Sequence, residues 1–180
     1  YEKVIDSGVD MVLLCTPPHF RPAHVKAAVN ARKHIFMEKP IAVDPVGARS
    51  VLASAKMAES IGLNMVSGTI RRVQKDYMET QRRVANGEIG EITGANIIRN
   101  GGALSYREPR PEWTEMEYMI RNWVNWCWLS GDHITEQFIH EIDVMNWHLG
   151  EMPKLSIGWG GRHRRVTGDQ FDFFSIEYVY

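Results

Sequence analysis

A lysine at the end of a short apolar run is well suited to chemistry. The run His34–Met37 is followed by Glu38, Lys39 and Pro40. Apolar runs of this length, with turn signals at both ends, are typical of buried strands, and ligand crevices in open α/β sheets lie beyond the carboxyl ends of such strands. Because burial or a neighbouring cation lowers the pKa of a lysine, Lys39 is a candidate acid or base. A surface Glu-Lys pair before a loop proline fits the same residues.

A helix later in the chain supplies a candidate partner for this lysine. The spacing predicts one helix over Asp132–Leu149, and at about 100° per residue Glu136, His140 and Asp143 fall on one stripe. Side chains of these types at spacings of four and three can hydrogen-bond in a chain, which orients an imidazole and raises its basicity. An ordinary amphipathic helix explains the same stripe, although Trp147 is costly to expose on it.

Two further groups of residues suggest binding. His133, Glu136 and His140 are spaced so that two or three of them could share a metal ion, but the HExxH motif is absent and His133 falls beside the stripe, so no metal is predicted. A sugar-binding platform could form from Trp123, Trp126 and Trp128 near Asn122 and Asn125, because sugar rings stack on indoles and hydroxyls need amide partners. Core packing is the alternative for the tryptophans.

The composition restricts the class of protein. The chain has 180 residues, of which 44% are hydrophobic and 24% charged, as in globular proteins of one or two domains. A net charge of −1 gives no electrostatic reason to expect nucleic acid or a membrane as a partner. Cys15 and Cys127 lie outside any CxxC pattern, so neither a disulfide framework nor a zinc site is predicted. The sequence contains no apolar run of about 18 residues, so no membrane span is predicted.

The first part of the chain has the pattern of a parallel α/β sheet. The continuous apolar run at residues 10–15 predicts a central parallel strand that is covered on both faces, and further buried strands are predicted at residues 34–37 and 63–66. Helices are predicted between them, at residues 22–30 and from Asp44-Pro45 to Gly62. This alternation implies parallel strands joined by right-handed crossovers.

The pattern changes after about residue 70. The elements predicted there are a polar helix over 73–85, a strand over 92–100 and antiparallel strands over 155–159 and 170–180. We therefore expect one domain over 1–70 and another over 71–180. The chain begins without Met in what resembles a helix end, and it stops inside a strand pattern, which predicts an internal piece of a longer protein.

Three stretches together resemble the Gfo/Idh/MocA oxidoreductases, a family that includes glucose-fructose oxidoreductase and inositol dehydrogenase. They are residues 10–18 with His24 following, residues 34–40 and residues 130–143. The resemblance implies the C-terminal half of a Rossmann-type sheet, followed by part of an α/β domain with an open-faced, mainly antiparallel sheet that often serves oligomerisation. It also implies NAD or NADP as cofactor and hydride transfer at a hydroxyl of a sugar, glycoside or cyclitol.

The resemblance also implies roles for individual residues. Lys39 matches the lysine that contacts the reacting hydroxyl and the nicotinamide ribose, His140 matches the acid/base histidine, and Glu136 stands where the family usually has Asp. The positions that match residues bordering the nicotinamide half of the cofactor, or the nearby cleft, are Thr16, Pro17, His24, Glu38, Pro40 and Arg72. The candidate substrate contacts are Asn122, Trp123 and Asp143.

The sequence departs from the family pattern in its cofactor half. No GxGxxG motif is present, and the acidic residue that reads the adenosine ribose is missing as well, so we expect weak or no dinucleotide binding by this chain. Two alternative functions stay open: NAD-dependent glycoside cleavage that begins with the same oxidation, and a non-catalytic module that forms homo-oligomers through the sheet at residues 170–180. A cytoplasmic location is the default expectation, and a periplasmic one applies if an export signal precedes Tyr1.

Overall fold

A parallel and an antiparallel sheet organise the chain, which a computed structural model describes over residues 1–180. The parallel sheet has the order β1-β2-β3, and its strands are β1 (Met11–Leu14), β2 (His34–Met37) and β3 (Met65–Ser67). The helices that accompany it are α1 (Glu2–Ile5), α2 (Arg21–Asn30) and α3 (Pro45–Ser60). The alternation of strands and helices confirms the predicted parallel α/β half.

The core of this half lies on one face of the parallel sheet. Val12, Ile35 and Met37 pack there with Val25 of α2 and Val51 of α3. The apolar residues exposed elsewhere on the three strands are Met11 (54%), Leu13 (63%) and Val66 (54%). The prediction that the strand at residues 10–15 is central and covered on both faces is therefore wrong in this structure, because β1 lies at the edge of the sheet and α2 and α3 contribute their buried residues to a single core.

The start of α3 follows the predicted capping chemistry. The Asp44 carboxylate accepts a hydrogen bond of 2.7 Å from the Gly47 amide, which satisfies one of the free donors at the helix start. Pro45 occupies the first helical position, where its missing N–H costs nothing. Gly62, just past the end of α3, has a φ of +76°, a conformation that glycine adopts without strain.

The second half of the chain is mainly helical and ends in a β-hairpin. Its helices are α4 (Lys75–Ala85), α5 (Glu115–Arg121), α6 (Cys127–Ser130), α7 (Asp132–Glu136) and α8 (Ile139–Leu149). Short 3₁₀ turns cover Pro18–Phe20, Ile70–Val73 and Trp123–Asn125. The antiparallel strands are β4 (Leu155–Gly161) and β5 (Phe173–Val179), paired from Leu155 with Val179 to Gly161 with Phe173. None of the helices has the length and apolar character that a bilayer span requires.

Two predicted elements differ from the structure. Residues 92–100 form no strand, because the one antiparallel sheet consists of β4 and β5 alone and gives this segment no ladder partner. The single helix predicted over Asp132–Leu149 is interrupted at Gln137 and Phe138, which separate α7 from α8. The stripe of polar side chains therefore does not continue unchanged from Glu136 to His140.

The turn that begins α7 is fixed by the loop before β5. Gly131 and Asp132 both have a positive φ, of 80° and 68°. The Asp132 carboxylate accepts a hydrogen bond of 3.2 Å from the Phe171 amide, and the fully buried Gln170 donates one of 2.6 Å to the Ser130 hydroxyl. These contacts hold the start of the helix that carries Glu136.

Candidate active site

The carboxyl ends of the three parallel strands bring the first group of predicted site residues to one edge. Met37, the last residue of β2, pairs with Leu14 of β1 and with Ser67 of β3. The residues that follow the strands are therefore neighbours across the sheet. They are Thr16 and Pro17 after β1, Glu38, Lys39 and Pro40 after β2, and Gly68 after β3. This is the edge at which ligand crevices of open α/β sheets lie.

Glu38 and Gly68 lie in close contact at this edge. A Cβ atom added to Gly68 would lie 2.9 Å from a carboxylate oxygen of Glu38, closer than non-bonded atoms approach each other. Glycine therefore leaves the room that the Glu38 side chain occupies.

Arg21, at the start of α2, holds the loop after β2 through a hydrogen bond. Its side chain is almost fully buried, with 3% of the residue exposed, and its Nη1 donates to the Pro40 carbonyl oxygen. Burial lowers the pKa of Arg21, while the nearby Glu38 carboxylate acts in the opposite direction. The sequence analysis missed this residue. The signal was an arginine at the first position of a helix, where the positive end of the helix dipole disfavours it.

The interruption between α7 and α8 changes the backbone hydrogen bonding of Glu136. The Phe138 amide donates to the His133 carbonyl five residues earlier, at 3.2 Å, a π-type bond of the kind found where helices are interrupted at functional sites. The His140 amide donates to the Gln137 carbonyl at 3.4 Å rather than to Glu136. The Glu136 carbonyl is therefore free of the usual helical partner.

Lys39 takes the place of that missing partner. Its Nζ donates to the Glu136 carbonyl oxygen and to Glu136 Oε1, the latter at 2.7 Å. The side chains of the pair are only 13% and 8% exposed, so the interaction is largely shielded from water. An ammonium group has three N–H donors, which leaves one N–H of Lys39 without a protein partner. Strand β2 and helix α7 are thereby tied together by one amine.

His140 is half-buried beside this amine. Burial lowers the pKa of His140, and the positive charges of Lys39 and Arg71 lower it further. The imidazole is therefore neutral at pH 7 and has a lone pair available. Neither ring nitrogen makes a hydrogen bond to another side chain or to the backbone. A free neutral imidazole next to an ammonium group can accept a proton from a bound hydroxyl.

The hydrogen-bond chain predicted for Glu136, His140 and Asp143 does not form. Glu136 uses one carboxylate oxygen for Lys39 and the other for the Gln137 amide. Asp143 binds elsewhere, as described below. The helix interruption is the reason, because it turns Glu136 away from the face that carries the other two side chains.

A chain of polar contacts continues from Glu136 past His140. Gln137 accepts a hydrogen bond of 2.7 Å from Arg99 Nη2, and Arg99 Nη1 donates to Glu141 Oε1 at 2.9 Å. Arg71 Nη2 donates to the same oxygen at 2.7 Å. Burial raises the pKa of the Glu141 carboxyl, but the hydrogen bonds from Arg99 and Arg71 outweigh it and hold that pKa below its usual value.

Arg72 and Asp143 form a second connection to α8. The Arg72 guanidinium donates to both carboxylate oxygens of Asp143 at 2.8–3.0 Å and lies 5.4 Å from the centre of the Trp147 ring. The hydrogen bonds to Asp143 raise the pKa of Arg72. This contact explains the tryptophan on the polar stripe, since the arginine covers its ring. Arg72 and Asp143, predicted as cofactor and substrate contacts, thus bind each other in this structure.

Asn122 and Trp123 lie in other surroundings. Asn122 is 1% exposed. Its side-chain oxygen accepts a hydrogen bond of 2.8 Å from the Arg107 amide, and its Nδ2 donates one of 3.1 Å to the Arg107 carbonyl. The amide thus holds the segment around Arg107, so the prediction that Asn122 contacts substrate does not agree with this structure. Trp123 lines a cleft of about 630 Å³ together with Arg107 and Arg121, none of which belongs to the group around Lys39.

The histidines near β1 form a small aromatic group. Thr16 Oγ1 and His24 Nδ1 are 3.2 Å apart, and burial lowers the pKa of His24. His19 contacts the edge of Trp128, with ring centres 5.0 Å apart, which links the loop after β1 to α6. No group of three or more His, Cys, Asp or Glu side chains lies close enough together to hold a metal ion.

Comparison with known proteins gives a consistent picture. A family model described as an oxidoreductase family with an NAD-binding Rossmann fold matches residues 1–65. Inositol 2-dehydrogenase of Paracoccus denitrificans is 31% identical over 147 residues, covering 81% of this chain and 37% of that protein. The 2,7-anhydro-N-acetylneuraminate hydratase of Escherichia coli K12 is 29% identical over 153 residues, covering 85% of this chain and 37% of that protein. The chain thus spans well under half the length of these relatives.

Solved structures share the fold. The WlbA dehydrogenase from Bordetella pertussis, in complex with NADH and UDP-GlcNAcA, has a TM-score of 0.73 at 16% identity over 98% of this chain and 47% of its own. Myo-inositol 2-dehydrogenase from Lactobacillus plantarum has a TM-score of 0.65 at 24% identity over 89% of this chain and 44% of its own. The arrangement of the two sheets is therefore that of known dehydrogenases.

The Lys39–Glu136 pair should show energetic coupling that a surface pair lacks. We expect a double-mutant cycle of Lys39→Met and Glu136→Gln to give a coupling of about 1–3 kcal/mol in the free energy of unfolding, because each side chain otherwise leaves a shielded charge unpaired. The matched control is the Arg82–Glu79 pair, whose side chains are 56% and 47% exposed, and it should show no measurable coupling. Equal coupling energies from urea unfolding in the two cycles would contradict the interpretation that the Lys39–Glu136 pair is shielded from water.

Proposed function

We propose that this chain, whose residues 1–65 match the Gfo/Idh/MocA oxidoreductase family model, carries the catalytic residues of an NAD(P)-dependent oxidoreductase acting on a hydroxyl of a sugar, glycoside or cyclitol. In this proposal residues 1–70 belong to the cofactor domain and residues 71–180 to the substrate domain. The observation that carries it is the position of Lys39, which is fixed on Glu136 with one N–H free and has the neutral imidazole of His140 beside it.

The strand ends fit the nicotinamide end of a dinucleotide. The free N–H of Lys39 and the hydroxyl of Thr16 are donors suited to ribose hydroxyls, and the loop from Glu38 to Pro40 is held by Arg21. The sequence contains no glycine-rich loop for the pyrophosphate, so these residues would hold the nicotinamide ribose only. When bound, the nicotinamide supplies the acceptor or donor of the hydride.

His140 and Lys39 have different roles in this proposal: His140 accepts the proton, and Lys39 stabilises the negative charge. His140 takes the proton from the substrate hydroxyl on its free ring nitrogen. The Lys39 ammonium stabilises the negative charge that develops on the same oxygen, in a setting where water screens the interaction little. Glu136 is a positioning residue in this scheme, because it fixes the amine through its carbonyl and its carboxylate. In the reducing direction His140 returns the proton.

The names of the relatives leave more than one substrate class open. Inositol dehydrogenases act on a neutral cyclitol, whereas the hydratase from Escherichia coli is named for a sugar acid. The hydratase name favours a second candidate, in which oxidation is transient and elimination follows, as in NAD-dependent glycoside cleavage. Product analysis separates the two: a ketone with stoichiometric NADH supports the dehydrogenase, and an unsaturated sugar or a released aglycone without net NADH supports the eliminating enzyme.

We also propose that the chain forms homo-oligomers through the uncovered face of the β4–β5 hairpin. The apolar side chains exposed on that face are Leu155 (53%), Ile157 (54%), Trp159 (64%), Phe173 (52%) and Val179 (45%). They share this exposed face with Ser175 and Glu177, so the face is largely apolar but also carries two polar side chains. A second copy of the same face has matching shape and chemistry.

Trp159→Arg should weaken that association. The substitution removes the largest apolar side chain of the face and adds a charge that is costly to bury, so we expect a lower weight-average mass in sedimentation equilibrium than for the wild-type chain. Val166→Arg is the control, because Val166 is 96% exposed on the hairpin loop outside the face. A monomeric wild-type chain, or no difference between the variants, would contradict the proposal.

Removing either catalytic side chain should abolish most turnover. Lys39→Ala and His140→Asn should each lower kcat by about 100-fold or more, the contribution of a positioned acid/base, in any protein that carries this chain and oxidises a sugar or cyclitol. Because burial and Lys39 lower the pKa of His140 from 6.5, wild-type oxidation should persist as pH falls through 6.5 and decline only below it. His34→Asn, at the opposite end of β2, is the control. Unchanged kcat in Lys39→Ala would refute the assignment.

A further inference from the structure

Two guanidinium groups converge on one carboxylate oxygen next to His140. Arg71 Nη2 and Arg99 Nη1 both donate to Glu141 Oε1, at 2.7 and 2.9 Å. The other oxygen of that carboxylate, Oε2, is buried and has no hydrogen-bond partner. If the arginines served only to neutralise Glu141, one would be expected at each oxygen. Their convergence leaves two positive charges side by side against a single negative one.

The charges around the candidate active site do not balance. Lys39 is paired with Glu136 and Arg72 with Asp143, and Arg21 is buried near Glu38. Arg71 and Arg99, in contrast, share Glu141. The excess of one positive charge is therefore localised at these two arginines. The positive charge of each also acts on the His140 imidazole, so the excess charge lies beside the proposed reaction centre.

Both arginines keep donors that a ligand can reach. The side chains are 21% and 27% exposed. Nε and Nη1 of Arg71 and Nε of Arg99 make no hydrogen bond within the chain, and they are absent from the buried unpaired atoms. Arg71 is held over the Tyr77 ring at 5.3 Å, and Arg99 is held by Gln137 at 2.7 Å. Two partly exposed, well-anchored guanidiniums with free donors are the arrangement that binds a carboxylate.

We propose that the substrate is an acidic sugar, whose carboxylate binds Arg71 and Arg99 while its reacting hydroxyl lies between Lys39 and His140. The inference rests on the proposed function and narrows its substrate class from sugars and cyclitols in general to those with a carboxylate. Arg71 and Arg99 are then specificity-determining residues. The buried Glu141 fixes their position without neutralising both of them.

The test compares sugars that carry a carboxylate with neutral counterparts. Glucuronate, galacturonate and mannuronate are each assayed beside glucose, galactose and mannose, and beside the uronamides, in which an amide replaces the carboxylate. N-acetylneuraminate is added as a larger acid. The assay follows NADH and NADPH with the longest protein that carries this chain. We expect kcat/KM for at least one acid to exceed that for its neutral counterparts by about tenfold or more, as a charge-assisted hydrogen bond to a carboxylate supplies.

The variants assign this preference to the two arginines. Arg71→Gln and Arg99→Gln should each raise KM for the acid by about tenfold or more and leave KM for the neutral sugar within about twofold, since a neutral ligand makes no ion pair. Arg82→Gln on α4 is the matched control for a change of net charge. Raising the salt concentration should weaken binding of the acid alone.

The outcomes separate this inference from the proposed function. Turnover of neutral sugars or inositols in preference to every acid would overturn the acidic-substrate inference and leave the dehydrogenase intact. Equal losses for acid and neutral sugar in Arg71→Gln and Arg99→Gln would also overturn it. If nothing is turned over with either cofactor, binding of the uronates alone is followed by NMR at the Arg side-chain N–H groups. Shifts confined to Arg71 and Arg99 would support the carboxylate site, and no shifts would refute it.

Discussion

The bond between the Lys39 ammonium and the backbone carbonyl of Glu136 is the contact on which the candidate active site depends. It exists because two local irregularities coincide. A helix is interrupted at Gln137 and Phe138, which frees a carbonyl oxygen, and a strand ends at Met37, which places a lysine two residues later at the edge of the parallel sheet. A free carbonyl in a shielded position requires a donor, and the lysine supplies it.

This contact joins parts of the chain that are 97 residues apart in sequence. It places an amine from the parallel sheet next to an imidazole from α8, which neither element could achieve alone. Ion pairs of Arg71 with Glu141 and of Arg72 with Asp143 attach the turn after β3 to α8. Because the side chains of both arginines are partly exposed, the site combines a fixed amine with side chains that water and ligands still reach. Such an arrangement favours chemistry at a bound hydroxyl over tight burial of an apolar ligand.

Local features of the fold could be predicted from the sequence, and features set by distant contacts could not. The bounds of β2 and the start of α3 at Asp44-Pro45 follow from patterning and capping within a few residues. The helix interruption coincides with a hydrogen bond from the distant Lys39, and no periodicity in 132–149 indicates it. The 92–100 segment alternates as a strand does, yet it has no partner strand in this structure. The alternation of a segment indicates its tendency to form a strand, but whether the strand forms depends on a neighbouring strand to pair with.

The same distinction applies to the site. Residue type and position predict Lys39 and His140 as site residues, and the structure places the lysine close enough for its charge to act on the imidazole. Asn122 is predicted as a substrate contact because its amide stands beside a tryptophan. In the structure this amide is buried and forms hydrogen bonds with the backbone of Arg107. Arg21, which supports the loop after β2, and Arg99, which reaches α8 from a segment without regular structure, act through contacts that only coordinates reveal. Long arginine side chains reach residues that are far away in the sequence, and the spacing of residues in the sequence does not predict such contacts.

The NMR titration of the His140 imidazole tests most directly whether Lys39 and His140 face each other. In the wild-type chain the ring should titrate below 6.5, because burial and the Lys39 charge lower its pKa. In Lys39→Met the pKa of His140 should rise, since a positive charge is removed and Glu136 loses its counter-ion. The exposed Lys56→Met variant should titrate like the wild type. An unchanged His140 pKa in Lys39→Met would place the two groups apart and contradict the account.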